Sequence, residues 1–478
     1  MITIFPGCSV QSFRARVVTK VCMASSSAVL GKRARSVSTD AAAYDEAAAS
    51  ESESEPFVWP APLARLEAAR NFIRECAASP KNILLVPDRD ADGLSSGTIM
   101  SLALQLLSKP QHQIHTHFVL AGRNIFSTEE RELMTGLCRE QEISHMIVLD
   151  QGSRAAPPLV EADTGTKVLI IDHHQSAHFP SGAVVVNACA HAPVATSSVL
   201  TYAICEPLHA AVEEKAAWLA VLGVFGDLGP STKLEPPYPP ALAAAKKKYR
   251  ATHISSLTAL MNAPRRTPEC NTIDAWMLLQ HAPDDENPPT PKRILDGEVD
   301  KVGIEQLRDA SARIKAETER CRRNAPVFSA DRRVAVVLMH SAYQIHGPIA
   351  TMWAGFLKGS RLEVVMAANT GYVEGKVNFS CRMARSAKPP DGESGVDIIA
   401  MLSEYAAKDQ WLLENVGTEF ANGHKQATGG SLRKDVWEMF VEKGLELTKK
   451  EDKKTRKSKK EPAEKKQKNT LDAWVKKD

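Results

Sequence analysis

Val168-Leu169-Ile170-Ile171-Asp172-His173-His174 is the stretch that decides how this chain reads. Four aliphatic residues in succession read as a strand buried on both faces, as in parallel sheets covered by helices. In open sheets of that kind ligands bind beyond the carboxyl ends of the strands. Asp172, His173 and His174 therefore stand at the mouth of a site. A hydrogen-bonded turn would explain one such strand end, but the pattern recurs three more times.

Ile83-Leu84-Leu85-Val86-Pro87 runs into Asp88-Arg89-Asp90-Ala91-Asp92-Gly93, and Met146-Ile147-Val148-Leu149 runs into Asp150-Gln151-Gly152. Trp218 to Gly226 runs into Asp227 and reads as the end of a buried helix. Converging carboxylates repel one another and need cations to neutralise them. Oxygen ligands with one or two imidazoles suit manganese or magnesium better than zinc. The pattern thus predicts a centre for two manganese or magnesium ions.

Together, Asp-x-Asp-x-Asp-Gly, Asp-x-Gly, Asp-His-His and Gly-x-x-Gly-Asp resemble the DHH phosphoesterase superfamily. Downstream, Asn422-Gly423-His424-Lys425-Gln426-Ala427-Thr428-Gly429-Gly430 is similar to the glycine- and histidine-containing motif of the DHH-associated C-terminal domain. Val377 to Arg382 resembles the Ser-x-Arg strand before it. The resemblance covers roughly Ala61–Asp227 and Val334–Leu447. It implies an α/β protein of two domains: a parallel-sheet metal domain and a smaller α/β domain that binds substrate across a cleft.

On the matched positions the resemblance implies that Asp88 binds one metal, Asp90 the other, and Asp150 both. His173 and Asp227 would complete the second metal's ligands. Asp172 would orient a histidine, and His174 would meet the scissile phosphate or join a metal. Asp92 stays open between ligand and helix cap. Arg382, His424, Gly423, Gly429, Gly430 and Arg123 would serve the substrate, the glycines by close backbone approach. Related pyrophosphatases and small-oligonucleotide nucleases carry a histidine four residues before the first aspartate. Here that residue is Leu84, which points to the RecJ-like exonuclease branch.

The remaining sequence sets the surroundings. No window approaches the ~18 apolar residues of a membrane span, so no membrane role is expected. Nine cysteines, odd in number and never spaced Cys-x-x-Cys, argue for a reducing compartment without zinc ribbons. Residues 1–60 read as a disordered extension; its first part is basic, serine-rich and free of acid, as in a mitochondrial transit peptide. Residues 61–230 form the metal domain, 231–330 a helical connector without chemistry of its own, and 331–447 the second domain. Strands are expected at 114–120 and 184–187, and Ser127 to Glu130 carries the spacing of a helix capping box.

Residues 448–478 form a basic tail, expected to be disordered. Its lysine blocks fit nuclear import or phosphate contact. Leu471 and Trp474 make an apolar island that resembles a motif for the DNA sliding clamp, lacking its glutamine and second aromatic. The expected function is hydrolysis of single-stranded nucleic acid or short oligonucleotides, in the nucleus or alternatively the mitochondrion. Competing readings are a small-nucleotide or cyclic dinucleotide phosphohydrolase, an inactive replication scaffold, and a clamp-tethered binding module.

Overall fold

The computed structural model describes residues 59–119, 123–387, 395–417 and 419–447. The extension before Trp59 and the tail with Leu471 and Trp474 lie outside the described residues.

The first sheet has five parallel strands: β1 (Asn82–Pro87), β2 (Ile114–Thr116), β3 (Ile143–Leu149), β4 (Lys167–Asp172) and β5 (Ala183–Asn187). Their spatial order is β2-β1-β3-β4-β5. The chain leaves β1 toward one edge and later returns past it to β3, so the order reverses between β1 and β3. That crevice is where doubly wound sheets bind ligands. The aliphatic runs are buried on both faces. Leu85, Leu149 and Ile171 join one core, while Leu84, Val148 and Ile170 join the other. Each such side chain contributes roughly 1.5–3 kcal/mol.

Helices Leu63–Ala78, Ala91–Leu106, Ser197–Cys205 and Ala211–Asp227 pack on the first of these faces, and Thr128–Glu140 on the second. Two local expectations fail. The strand from Ile114 ends at Thr116 rather than running to Leu120. Ser127 precedes its helix but makes no side-chain cap hydrogen bond, and Glu130, instead of reaching back to the Ser127 N–H, turns inward to His117 Nε2 at 2.6 Å.

The second sheet holds β6 (Val327–Phe328), β7 (Val334–Met339), β8 (Val364–Asn369), β9 (Lys376–Met383), β10 (Asn422–His424) and β11 (Ala427–Arg433). Its order is β10-β11-β9-β8-β7-β6, with only β7 and β8 parallel. Helix His346–Phe356 covers one face; Ile398–Ala406 and Lys434–Met439 cover the other. Helix Lys434–Met439 passes into a wider turn at Phe440–Gly444.

The intervening segment is helical, as expected, but most of it belongs to the first core. Leu242, Ile254, Leu257, Trp276, Ile294, Ile304 and Leu307 all pack there. Helix Lys301–Cys321 continues past that core, and its Ala310, Ile314 and Cys321 pack with Val337 and Ile349 of the second domain. One uninterrupted helix thus bridges both cores. Among the described residues no helix is long and apolar enough to cross a membrane.

Candidate metal centre

The ends of β1, β3 and β4 and the C-terminus of helix Ala211–Asp227 deliver carboxylates to the crevice between β1 and β3. Asp88, Asp90 and Asp150 present oxygens within 4.8 Å of one another. Asp92, Asp150, His173 and Asp227 form a second such group, and Asp150, His173 and His174 a third. Asp150 is common to all three. It has a left-handed backbone, φ +62°, which aspartate tolerates better than most residues. Its Oδ1 accepts a hydrogen bond from Ser197 Oγ at 2.9 Å.

Asp90 and Asp92 divide two tasks. Asp90 caps its own helix, Oδ1 accepting from the N–H groups of Asp92 and Gly93 at 3.1 Å. Asp92 lies inside the first turn, fully buried, and reaches a different helix. Its two oxygens accept from the N–H groups of Ser197 and Ser198, at 2.8 and 3.1 Å. They serve the start of helix Ser197–Cys205, where Thr196 itself makes no cap hydrogen bond. Two glycines make room. A Cβ on Gly93 would lie 2.6 Å from the Asp88 carbonyl oxygen, and one on Gly223 would lie 2.2 Å from Asp92 Oδ1.

Asp172 does not enter the metal-ligand groups. Its Oδ1 accepts from the His173 N–H at 2.8 Å and faces His174 Nδ1 at the same distance, while Oδ2 accepts from the Ser153 N–H. A buried carboxylate behind an exposed imidazole fixes the ring's orientation, as metal-site carboxylates do. Burial alone would lower the His174 pKa, but the hydrogen bond and charge of Asp172 push it up to about 9.

Charge dominates the rest. Burial first, then Asp92, Asp90, Asp227 and Asp88, push the Asp150 carboxyl well above its ordinary range. Burial and Asp227 raise Asp92 to about 6. Such a cluster cannot ionise fully without positive charge in its midst. His173 Nε2 lies 3.0 Å from Asp227 Oδ2 and 3.5 Å from Asp150 Oδ1, yet is buried without a well-aligned hydrogen bond. An orphaned imidazole nitrogen among carboxylate oxygens fits a divalent cation. The oxygen-rich donors suit manganese or magnesium.

The connector does contribute chemistry, against expectation. Arg265 Nη1 lies 3.3 Å from Asp90 Oδ2. Burial opposes ionisation of Asp90, but Arg265 and the Gly93 N–H hold its pKa below the ordinary value. Asn262 Oδ1 accepts from the Ala91 N–H at 3.1 Å, securing the start of the same helix. The legible signal was a basic pair between prolines, Pro264-Arg265-Arg266-Thr267-Pro268. Ser197, a plain helix-start serine, carried no signal.

From the second domain, Arg382 on β9 is half-buried; Nη1 donates to the Cys381 carbonyl, and burial lowers its pKa. His346 feels the charges of both Arg382 and Arg266, and its ring lies 5.8 Å from that of Tyr372. Tyr372 in turn feels Arg89 and Arg265, so the two domains meet here. His424 is placed by backbone on β10; its side chain is outside the described residues. Gly423, Gly429 and Gly430 make close approaches, but to neighbouring protein. Added Cβ atoms would meet Ala427 O at 2.8 Å, Phe379 O at 2.7 Å and the Phe379 ring at 2.7 Å, respectively. Arg123 is half-exposed and its Nη1 lies 3.8 Å from Glu130 Oε2.

Residues 82–224 match the DHH family, N-terminal domain. This segment is a DHH domain. Its metal-ligand groups take in Asp88, Asp90, Asp92, Asp150, His173 and His174, with Asp227 just beyond. RecJ from Thermus thermophilus in complex with Mn2+ superposes with a TM-score of 0.54 at 17% identity. That match covers 82% of this chain, which spans 55% of the RecJ chain. A second manganese-bound exonuclease RecJ gives 0.51 at 16% identity, covering 82% of this chain and 96% of that one. The DHH domain of a member of a ribosomal-protein family gives 0.54 at 14%, covering 81% and 91%. At these identities the likeness is one of fold, and the fold is RecJ-like. No curated protein matches the chain.

Proposed function

We propose that this chain is a manganese- or magnesium-dependent phosphodiesterase acting on single-stranded nucleic acid or short oligonucleotides. The observation that carries the reading is the sharing of Asp150 between the two carboxylate groups at the sheet's switch point. Asp88, Asp90 and Asp150 would hold one cation; Asp92 or Asp227, with Asp150 and His173, the other. When bound, two such ions polarise a phosphoryl group and activate water for in-line displacement.

The protein's own residues do the positioning. Asp172 fixes the His174 ring through Nδ1, which would leave Nε2 of the exposed ring to meet a phosphate oxygen or a metal ion. Arg265 keeps Asp90 ionised and fixed in direction. Arg382 lies on the second domain, where a guanidinium fork suits a phosphate; Arg123 and His424 would add to that hold. The manganese-bound RecJ structures of like fold support a nucleic-acid substrate. The basic tail supports it too, since its lysines would follow a phosphate backbone.

Asp150→Ala tests the reading. The purified variant should lose manganese-dependent cleavage of labelled single-stranded DNA, RNA and dinucleotides while keeping a cooperative thermal melt. Near-normal turnover by that variant would overturn the mechanism.

A further inference from the structure

A second polar cavity lies beside the metal cluster. It opens between the C-terminal end of helix Ala211–Asp227, helix Ala251–Met261 and the bridging helix Lys301–Cys321, with a volume of about 350 Å³. Ser255, Asn262, Arg266, Ser311 and Lys315 supply its polar lining, and no carboxylate lines it. Phe225, Ala259 and Ile314 supply an apolar floor.

Both cations are unpaired among the described residues. Elsewhere on the bridging helix Arg308, Arg313 and Arg320 each sit within 3 Å of a carboxylate oxygen, on Glu305, Asp309 and Glu317. Lys315 has no such partner. Arg266 makes no side-chain hydrogen bond either. Burial, and then the charge of Arg265, bring its pKa down to about 10. The charge of Asp90 opposes this only in part; a partly buried guanidinium without a hydrogen-bonded counter-charge is costly, and an anion in the cavity would relieve that cost. Asn262 uses Oδ1 on Ala91 N–H, while its NH2 has no acceptor among the described residues.

We propose that this cavity binds a small phosphate monoester of mononucleotide size, at a site separate from the metal cluster. The two cations and two serine hydroxyls would take the phosphate, a geometry in which an arginine fork and a lysine point charge complement each other. The apolar floor would take the sugar and base. The volume is at the lower end of small-molecule sites, which favours one nucleotide over an oligomer. Occupancy is coupled to the metal cluster through Asn262, which holds the start of the Asp90-capped helix, and through Gly226, which precedes Asp227. Linkage makes that coupling reciprocal: whatever the nucleotide does to metal affinity, metal does to nucleotide affinity.

Calorimetry on the full chain, held metal-free with EDTA, tests this independently of any hydrolytic activity. The probes are adenosine 5′-monophosphate, cytidine 5′-monophosphate, inorganic phosphate and adenosine. One mononucleotide should bind per chain. Lys315→Glu and Arg266→Gln should each weaken it by about tenfold or more, as loss of a charge-assisted hydrogen bond predicts. Lys315 is exposed, so its variant should fold even where Arg266→Gln does not. Arg382→Ala should leave the affinity essentially unchanged. The proposal fails if no mononucleotide binds at millimolar concentration, or if Arg382→Ala abolishes binding while Lys315→Glu spares it. Inorganic phosphate binding as tightly as the nucleotides would overturn the assignment of size.

Discussion

Replacing Gly223 by alanine sets two effects of opposite sign against each other. In a helix interior the change should stabilise by roughly 1 kcal/mol, through reduced backbone entropy of the unfolded chain. Here the new Cβ would lie 2.1 Å from Ser198 Oγ and 2.2 Å from Asp92 Oδ1. Both groups are buried, and Asp92 is held by two backbone N–H groups. Forcing a methyl into a packed site costs about 1–3 kcal/mol. Losing even one hydrogen bond to a buried carboxylate adds about 1.5–3 kcal/mol. Sterics therefore win by roughly 2–5 kcal/mol, which lowers Tm by on the order of 5–15 °C in a domain of this size. Gly136→Ala is the control: it is also mid-helix, in Thr128–Glu140, but nothing lies within 4 Å of its Cβ position. It should raise Tm slightly. Thermal melts by circular dichroism and manganese titrations of both variants give the answer. A Gly223→Ala melt equal to or above wild type would refute the reasoning.

Arg265→Ala should lower kcat/KM by about tenfold or more, through loss of the charge that restrains Asp90, with the melt little changed; equal kinetics would return the connector to a purely structural role. Glu317 bonds Arg320 and Ser341, and chiefly the Arg320 hydrogen bond depresses its carboxyl pKa to about 2. A depressed acid stabilises the fold above its unfolded pKa, near 4.5, and loses that contribution as pH falls from there toward 2. Glu317→Gln should thus cost about 1 kcal/mol at pH 6 and roughly half of that or less at pH 3, so parallel Tm losses at the two pH values would count against it. We propose that the tail engages a sliding clamp through Leu471 and Trp474: replacing both by alanine should abolish clamp binding in calorimetry while sparing hydrolysis of short substrates, and absence of binding by the intact tail peptide would end that proposal.

What could be read in advance was whatever a single segment specifies. The aliphatic runs before Asp88, Asp150 and Asp172 announce buried parallel strands because every residue in them is apolar, and their acids fall at the strand ends by position alone. What could not be read depended on partners distant in sequence. Asp90 and Asp92 look interchangeable, and only the approach of Ser197 and Ser198 separates helix cap from cross-link. Glu130 fits a capping box, but the buried His117 competes for it. Arg265 lies far from any motif, and its meaning comes from the turn after helix Ala251–Met261, which brings it to Asp90. Helix Gln410–Asn415 was missed because it is short and has one buried residue, Leu412.

The bridging helix has a mechanical consequence. At about 1.5 Å per residue, its 21 residues make a rod roughly 30 Å long, anchored in two cores at once. No soft joint lies between Leu307, in one anchor, and Ala310, in the other. A jaw-like closing motion would have to snap the rod or tear one end from its mooring. The spacing of the two cores is therefore gauged by a rod of fixed length. The rod also fixes azimuth. A single residue inserted between the anchors would turn the second domain by about 100° about the rod's axis, displacing Arg382 relative to the metal cluster while leaving both sheets intact.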